Sequence, residues 1–141
     1  MATFLVKTEP SEYSFADLVK DKGTVWSGVS NPGALLQLRA IRKGDEVLVY
    51  HTGEERAVVG LARAASDAYE DPARRGLTAE GAPKFAVFDL KAVRAAKTPI
   101  TLAQIKGDKR FKDFALVRQG RLSVMAVPPT MDAALRELAG L

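Results

Sequence analysis

The sequence predicts a mixed α+β fold: a small curled sheet of five to six strands with short helices at its rim. Three observations carry this. Five stretches show strand-like alternation or β-branched runs bounded by turn residues. The helical stretches between them are short, and most carry their own start signal. At 141 residues the chain is long enough for one self-supporting core and leaves little room for a second, so a single domain over residues 1–141 is expected. Five strands of this length curl readily toward a barrel.

The elements follow in chain order. The first strand is Phe4–Thr8, closed by Pro10. Ser14 caps a short helix with Asp17 in its first turn. Residues 26–30, Trp-Ser-Gly-Val-Ser, read as a loop. A second helix opens at Asn31-Pro32, since Asn is a favoured N-cap and Pro a favoured first helical residue. Its apolar stripe is Ala34, Leu35, Leu38 and Ile41, and Gly44 ends it. In Glu46–His51, Val47, Val49 and His51 alternate with Leu48 and Tyr50. A tight loop at 52–55 then leads into a strand over Arg56–Ala64. Residues 66–83 carry two Pro, two Gly and many charges, which predicts a long exposed connection. Lys84–Val93 is the next strand. Thr101 and Gln104 form a capping box, and Gly107 stops that helix. Residues 107–113 read as a charged loop and Arg121–Val127 as the last strand. Thr130 caps a final helix with Met131, Ala134, Leu135 and Leu138 on one face.

Composition narrows function. Hydrophobic residues make up 47% and charged residues 27%, as in ordinary soluble domains. No apolar run approaches membrane-spanning length, and the N-terminus lacks the basic start and apolar stretch of a secretory leader. No membrane partner is expected. With no cysteine, disulfides, thiolate nucleophiles and zinc fingers are excluded, and a cytoplasmic setting is the expectation. One histidine excludes any mechanism needing two imidazoles. There is no P-loop, no G-x-G-x-x-G and no metal-ligand spacing, so no cofactor or metal is expected. A monomer is the default.

Charge is unevenly spread. Residues 1–83 hold 10 Lys+Arg and 12 Asp+Glu, a balance of −2; residues 84–141 hold 11 and 5, a balance of +6. The basic stretch 84–121 offers Lys106, Lys109, Arg110, Lys112, Arg118 and Arg121 as contacts for a nucleic-acid backbone.

The single Trp26 either stacks a flat ligand such as a nucleobase or anchors the core. Gly28 beside it lets backbone approach a ligand closely, and the helix start at Asn31 offers free N–H groups. His51 suits a hydrogen-bonding role better than catalysis, because no G-x-S-x-G elbow accompanies it. Lys7 and Glu9 share one strand face, with Thr8 on the other. They form either a salt-bridged surface or a site where Lys7 meets a phosphate and Glu9 moves protons. Arg121 and Ser123 share a face of the last strand, where Arg121 could meet a phosphate and Ser123 a base.

The ordered series Lys7-Thr8-Glu9-Pro10, Tyr13-Ser14, Asp17-Leu18, 26–31 (Trp-Ser-Gly-Val-Ser-Asn), Gly44-Asp45, Tyr50-His51, Gly60, Ala68-Tyr69, Asp71-Pro72 and 121–124 (Arg-Leu-Ser-Val) resembles the EVE domain family, which includes the thymocyte nuclear protein group. The resemblance spans nearly the whole chain. It implies a PUA-like fold, a highly curved β-barrel with helices at its rim, and a relation to YTH domains, which read methylated adenine. It also implies a pocket for a modified base taken out of its stack. Trp26, Ser27, Val29, Ser30 and Asn31 would form one wall of that pocket. Lys7, Thr8, Tyr50, His51 and Ser123 would supply the others. Two positions depart from the common pattern: Thr8 stands where many members have Ser, and Ser30 where many have Arg.

The leading expectation is therefore a non-enzymatic binding module for DNA or RNA carrying a modified base. One alternative is an amidohydrolase like the related ASCH group, acting on a modified nucleoside through Lys7, Thr8 and Glu9. Another is a small-metabolite binder with an incidental basic surface.

Overall fold

The computed structural model describes all residues, Met1–Leu141. Six strands lie in the order β2-β6-β4-β3-β1-β7, with a short β5 pairing β6 off that path. The strands are β1 (Thr3–Thr8), β2 (Thr24–Trp26), β3 (Glu46–His51), β4 (Ala57–Ala64), β5 (Tyr69–Glu70), β6 (Ala86–Thr101) and β7 (Val124–Ala126). β1 and β3 run parallel, pairing Lys7 with Tyr50 and Thr8 with His51. All other pairings are antiparallel. The sheet curls into a half-barrel, the mixed α+β architecture the sequence predicts. Five short helices flank it: α1 (Phe15–Asp21), α2 (Pro32–Leu38), α3 (Leu102–Lys106), α4 (Ala115–Arg118) and α5 (Pro129–Ala139), with a 3₁₀ turn at Lys109–Phe111.

Strand alternation sorts the core into two layers. Phe4, Val6, Val47 and Val49 join Phe15, Leu18 and Trp26 on one side of the sheet, together with Leu35 and Leu38 of α2. Leu5, Leu48 and Tyr50 join Ile105, Phe111, Phe114 and Leu135 on the other. The alternation read in residues 47–51 is the one observed. α2 packs against both β7, at one end of the curl, and β6, next to the other end. Phe15 of α1 sits so close to β4 that a Cβ at Gly60 would lie 2.5 Å from its ring. Only glycine admits that approach.

The helix caps at Ser14, Asn31 and Thr101 are present as read. Ser14 Oγ accepts the Asp17 N–H while Asp17 returns the bond to the Ser14 N–H. Asn31 Oδ1 accepts the Ala34 N–H, and Thr101 with Gln104 forms the second capping box. Elsewhere the structure corrects the reading. Trp26 ends a strand, β2, where a loop was expected. α2 stops at Leu38, well before Gly44. Strand β6 continues eight residues past Val93. It does so through a bulge, since Gly60 pairs with Ala95 and Val58 with Ile100, and Pro99 sits inside that bulge, where its missing N–H breaks no ladder. The last strand begins only at Val124, because Leu122 donates to Gln119 in a turn. The final helix starts at Pro129 without a side-chain cap, which places Thr130 inside its first turn. Leu138 is 39% exposed, so it lies off the buried face. The charged loop at 107–113 contains the 3₁₀ turn, whose Phe111 is fully buried. Segment 66–83 holds β5 and the buried Asp71.

Candidate nucleic-acid interface

Two cavities open on opposite faces of β1. Neighbouring residues of a strand point to opposite sides, and Lys7 and Thr8 divide accordingly. Thr8 faces a cavity of about 320 Å³ lined by Glu12, Tyr13, Thr24, Trp26 and Ser27. Lys7 faces a second, of about 220 Å³, with Tyr50, Thr52, Arg56, Lys106 and Gly120.

The first cavity is built by β1, β2 and the turn before α1. Trp26 is 8% exposed and belongs to the inner core layer, so it fills the core and also walls the cavity. Tyr13 meets it edge-to-face, with centroids 6.3 Å apart and planes at 76°. Thr8 Oγ1 donates to the Tyr13 carbonyl at 2.6 Å, and Tyr13 Oη donates to Asp21 Oδ2 at 2.9 Å. Burial and then the Asp21 bond push the Tyr13 phenol above its ordinary value. The aromatic pair is therefore fixed from both ends. Glu12 and Ser27 are exposed at the mouth. The site offers a flat apolar wall, a carboxylate acceptor and hydroxyl groups, which suits a planar heterocycle with an exocyclic amine.

Of the ten expected pocket residues only Thr8, Trp26 and Ser27 line this cavity; Lys7 and Tyr50 line the second, and Val29, Ser30, Asn31, His51 and Ser123 line neither. Asn31 is committed to capping α2. Val29 is buried; its carbonyl accepts from Arg74 Nη2 at 3.0 Å, and Ser30 Oγ accepts from Arg74 Nη1 at 2.9 Å. Arg74 also binds Asp71 at 3.1 Å and lies 4.3 Å from the Phe85 ring centre. A guanidinium thus reaches Ser30, and it comes from segment 66–83. Sequence reasoning missed Arg74 because that segment read as a solvated connection. His51 lines neither cavity. It is 7% exposed; Nε2 accepts the Phe15 N–H at 3.0 Å, and Nδ1 lies 2.7 Å from Glu55 Oε1. It thereby satisfies the first N–H of α1. Tyr13, Glu12 and Thr24 were also missed as lining residues. Tyr13 stands in the Tyr13-Ser14 motif, and that was the available signal.

Lys7, Thr8 and Glu9 do not converge. Lys7 Nζ donates to the Gly120 carbonyl at 3.0 Å, and burial lowers its ammonium below the usual lysine range. Glu9 accepts from the Ser11 backbone and hydroxyl and from Thr52 Oγ1. The Ser11 backbone bond leads in holding its carboxyl below the usual range. The Ser123 carbonyl accepts the Lys7 N–H, and its side chain lines neither cavity. Of the basic residues, Lys106, Lys109, Lys112 and Arg121 are exposed with no ion pair, while Arg110 forks onto Asp108 and Arg118 leans on Asp113 and the Lys112 carbonyl.

The profile of the EVE domain matches residues 2–138. The chain belongs to the EVE domain family. Human thymocyte nuclear protein 1 is 29% identical over 149 residues, which cover 86% of this chain and 66% of the human protein. The solved structure of Rpa0253 from Rhodopseudomonas palustris superposes with a TM-score of 0.88 at 38% identity, covering 99% of this chain and 94% of that one. The human THYN1 protein, solved in complex with DNA containing 5-methylcytosine, superposes at 0.83 with 27% identity, covering 98% of both chains. An ASCH protein from Zymomonas mobilis is 18% identical with a TM-score of 0.64, covering 97% of this chain and 95% of that one, a likeness of fold alone. No helix of this EVE domain is long and apolar enough to cross a membrane.

Proposed function

We propose that this EVE domain is a non-enzymatic binding module for nucleic acid that receives a modified base, taken out of its stack, in the cavity beside Trp26. The observation that carries the reading is that cavity: about 320 Å³, walled by a fixed Trp26–Tyr13 pair and edged by Glu12 and Ser27. A base brought out of its stack needs a π-face to replace lost stacking and polar groups for its pairing edge. The human relative bound to methylated DNA makes 5-methylcytosine the first probe. Its exocyclic amine would donate to Glu12, since carboxylates accept from cytosine N4. The hydrolase alternative needs Lys7, Thr8 and Glu9 around one bond, and Lys7 and Thr8 open on opposite faces.

The test is a binding panel in which strands differ only in one base, plain or modified. Tighter binding of at least one modified strand, weakened selectively by Glu12→Gln, is the expected result. Equal affinity for every strand in the panel removes the base-reading proposal, and turnover of a modified nucleoside removes the non-enzymatic one.

A further inference from the structure

The second cavity carries chemistry of its own. It lies on the Lys7 side of β1, away from Trp26, and measures about 220 Å³. Its floor is Tyr50, whose ring packs in the core while its hydroxyl makes no hydrogen bond within the chain and, not being a buried unpaired atom, reaches solvent through the cavity.

Three cations surround it. Lys7 Nζ lies 5.8 Å from the Tyr50 ring centre and spends one bond on the Gly120 carbonyl. Two of its three donors remain. Arg56 spends Nε on the Gly53 carbonyl, which leaves its terminal nitrogens free. Lys106 stands exposed at the rim. No carboxylate lines the cavity. Glu9 is engaged by Ser11 and Thr52 and Glu55 by His51, while Glu54 lies with Glu55 in an adjoining cavity that shares Arg56 and Lys106. Arg56 also adopts φ +43°, a left-handed conformation that side chains other than glycine rarely take. Such strain persists where surroundings hold it and gathers at ligand sites.

We infer that the Lys7, Tyr50, Arg56 and Lys106 cavity is a phosphoryl-binding site, separate from the cavity beside Trp26. A phosphate there accepts from the Tyr50 hydroxyl, the free Lys7 donors and the Arg56 fork, a charge-assisted set suited to its tetrahedral oxygens. It would also offset the burial that disfavours the Lys7 ammonium. Two sources present this chemistry: the backbone of a bound strand, or a free phosphomonoester.

The probes are inorganic phosphate, cytidine 5′-monophosphate and a short oligonucleotide, titrated into the full isotope-labelled chain and followed by amide resonance shifts. Saturable shifts centred on Lys7, Tyr50, Arg56 and Gly120 are expected with inorganic phosphate. Tyr50→Phe, which removes only the hydroxyl, should weaken phosphate about threefold to tenfold, and Arg56→Gly about tenfold or more. Arg56→Gly should leave the thermal midpoint unchanged or raised, because glycine relieves the left-handed strain. A purely structural arginine would lower it. If the strand supplies the phosphate, Arg56→Gly weakens the oligonucleotide as well and inorganic phosphate competes with it. If a phosphomonoester is the ligand, the oligonucleotide affinity stays unchanged while the monophosphate is lost. Non-saturating shifts scattered over Lys109, Lys112 and Arg121, or unaltered phosphate affinity in both variants, overturn the site. Inorganic phosphate reads the site even if no oligonucleotide binds, so its failure is distinct from failure of the base-reading proposal.

Discussion

Trp26 packs in the core and walls a cavity, and substitutions can separate the two roles. Trp26→Ala should cost about 3–5 kcal/mol of stability, the usual loss for truncating a buried aromatic, so its binding data alone would mislead. Trp26→Phe keeps an apolar ring at lower cost and should weaken a modified strand by about 1–3 kcal/mol through poorer stacking; affinity and thermal unfolding measured together separate the two. His51 is the converse case. Both ring nitrogens are engaged, one by the Phe15 N–H and one by Glu55. His51→Ala should leave a buried N–H unpaired and cost about 1–3 kcal/mol of stability, with affinity for any strand unchanged at a temperature where the variant is folded. The sequence showed that His51 shares a face with Val47 and Val49. It could not show that this face is occupied by α1, because only the parallel pairing of β1 with β3 brings Phe15 there. Arg74 was hidden for a related reason: its partners Val29, Ser30 and Asp71 include two residues more than forty positions away.

At the level of elements, local signals were legible and nonlocal ones were not. The caps at Ser14, Asn31 and Thr101 rest on residues within three positions of one another, so sequence displays them directly. Strand β2 is three residues long and exists through its pairing with Asp89 and its neighbours in β6, which no local pattern reveals. The extension of β6 past Val93 was concealed by Lys97, Thr98 and Pro99, polar or strand-breaking residues that a bulge accommodates. The caps and clamps also set a pH response. Backbone and side-chain bonds from Ser14 hold Asp17 below the usual carboxylate range, and the backbone N–H of Ala73 with the side chain of Arg74 does so for Asp71. Burial raises Glu46, yet the bond from Arg63 and the charge of Arg136 bring it below its ordinary value. A carboxylate lowered by folding contributes stability that is present above its unfolded pKa and lost as pH falls through its folded one. Thermal midpoints should therefore be level above about pH 5 and fall steadily below about pH 4. Glu46→Gln should flatten part of that fall, and an unchanged profile would show that the clamp of α5 onto β3 through Arg136 contributes nothing.

The whole molecule presents the cavity beside Trp26 on one face of β1 and cations on the other face and along the segment from Lys106 to Arg121. Phosphate contacts hold a strand without reading it. If about three engage a single strand, log K against log salt should slope near −2. Replacing Lys109 and Lys112 together with Ala should flatten that slope and weaken plain and modified strands equally, which a salt titration of both strands measures directly. The fold class and the family were legible in the sequence, because the motifs that carry them are short and ordered. The division of Lys7 from Thr8 into separate cavities followed from strand alternation, but which cavity each would enter depended on β2 with the turn before α1 closing one face and α3 with α4 the other. The claim that a base enters beside Trp26 has a direct reporter, since Trp26 is the single tryptophan and lines that cavity. Titrating the chain with matched strands carrying cytosine or 5-methylcytosine, with binding followed independently by anisotropy, should give a saturable change in Trp26 emission for the methylated strand at the concentrations where it binds. One buried methyl is worth about 0.8 kcal/mol, so the methylated strand should bind about fourfold more tightly. Strands that bind by anisotropy yet leave Trp26 emission unmoved would contradict the account.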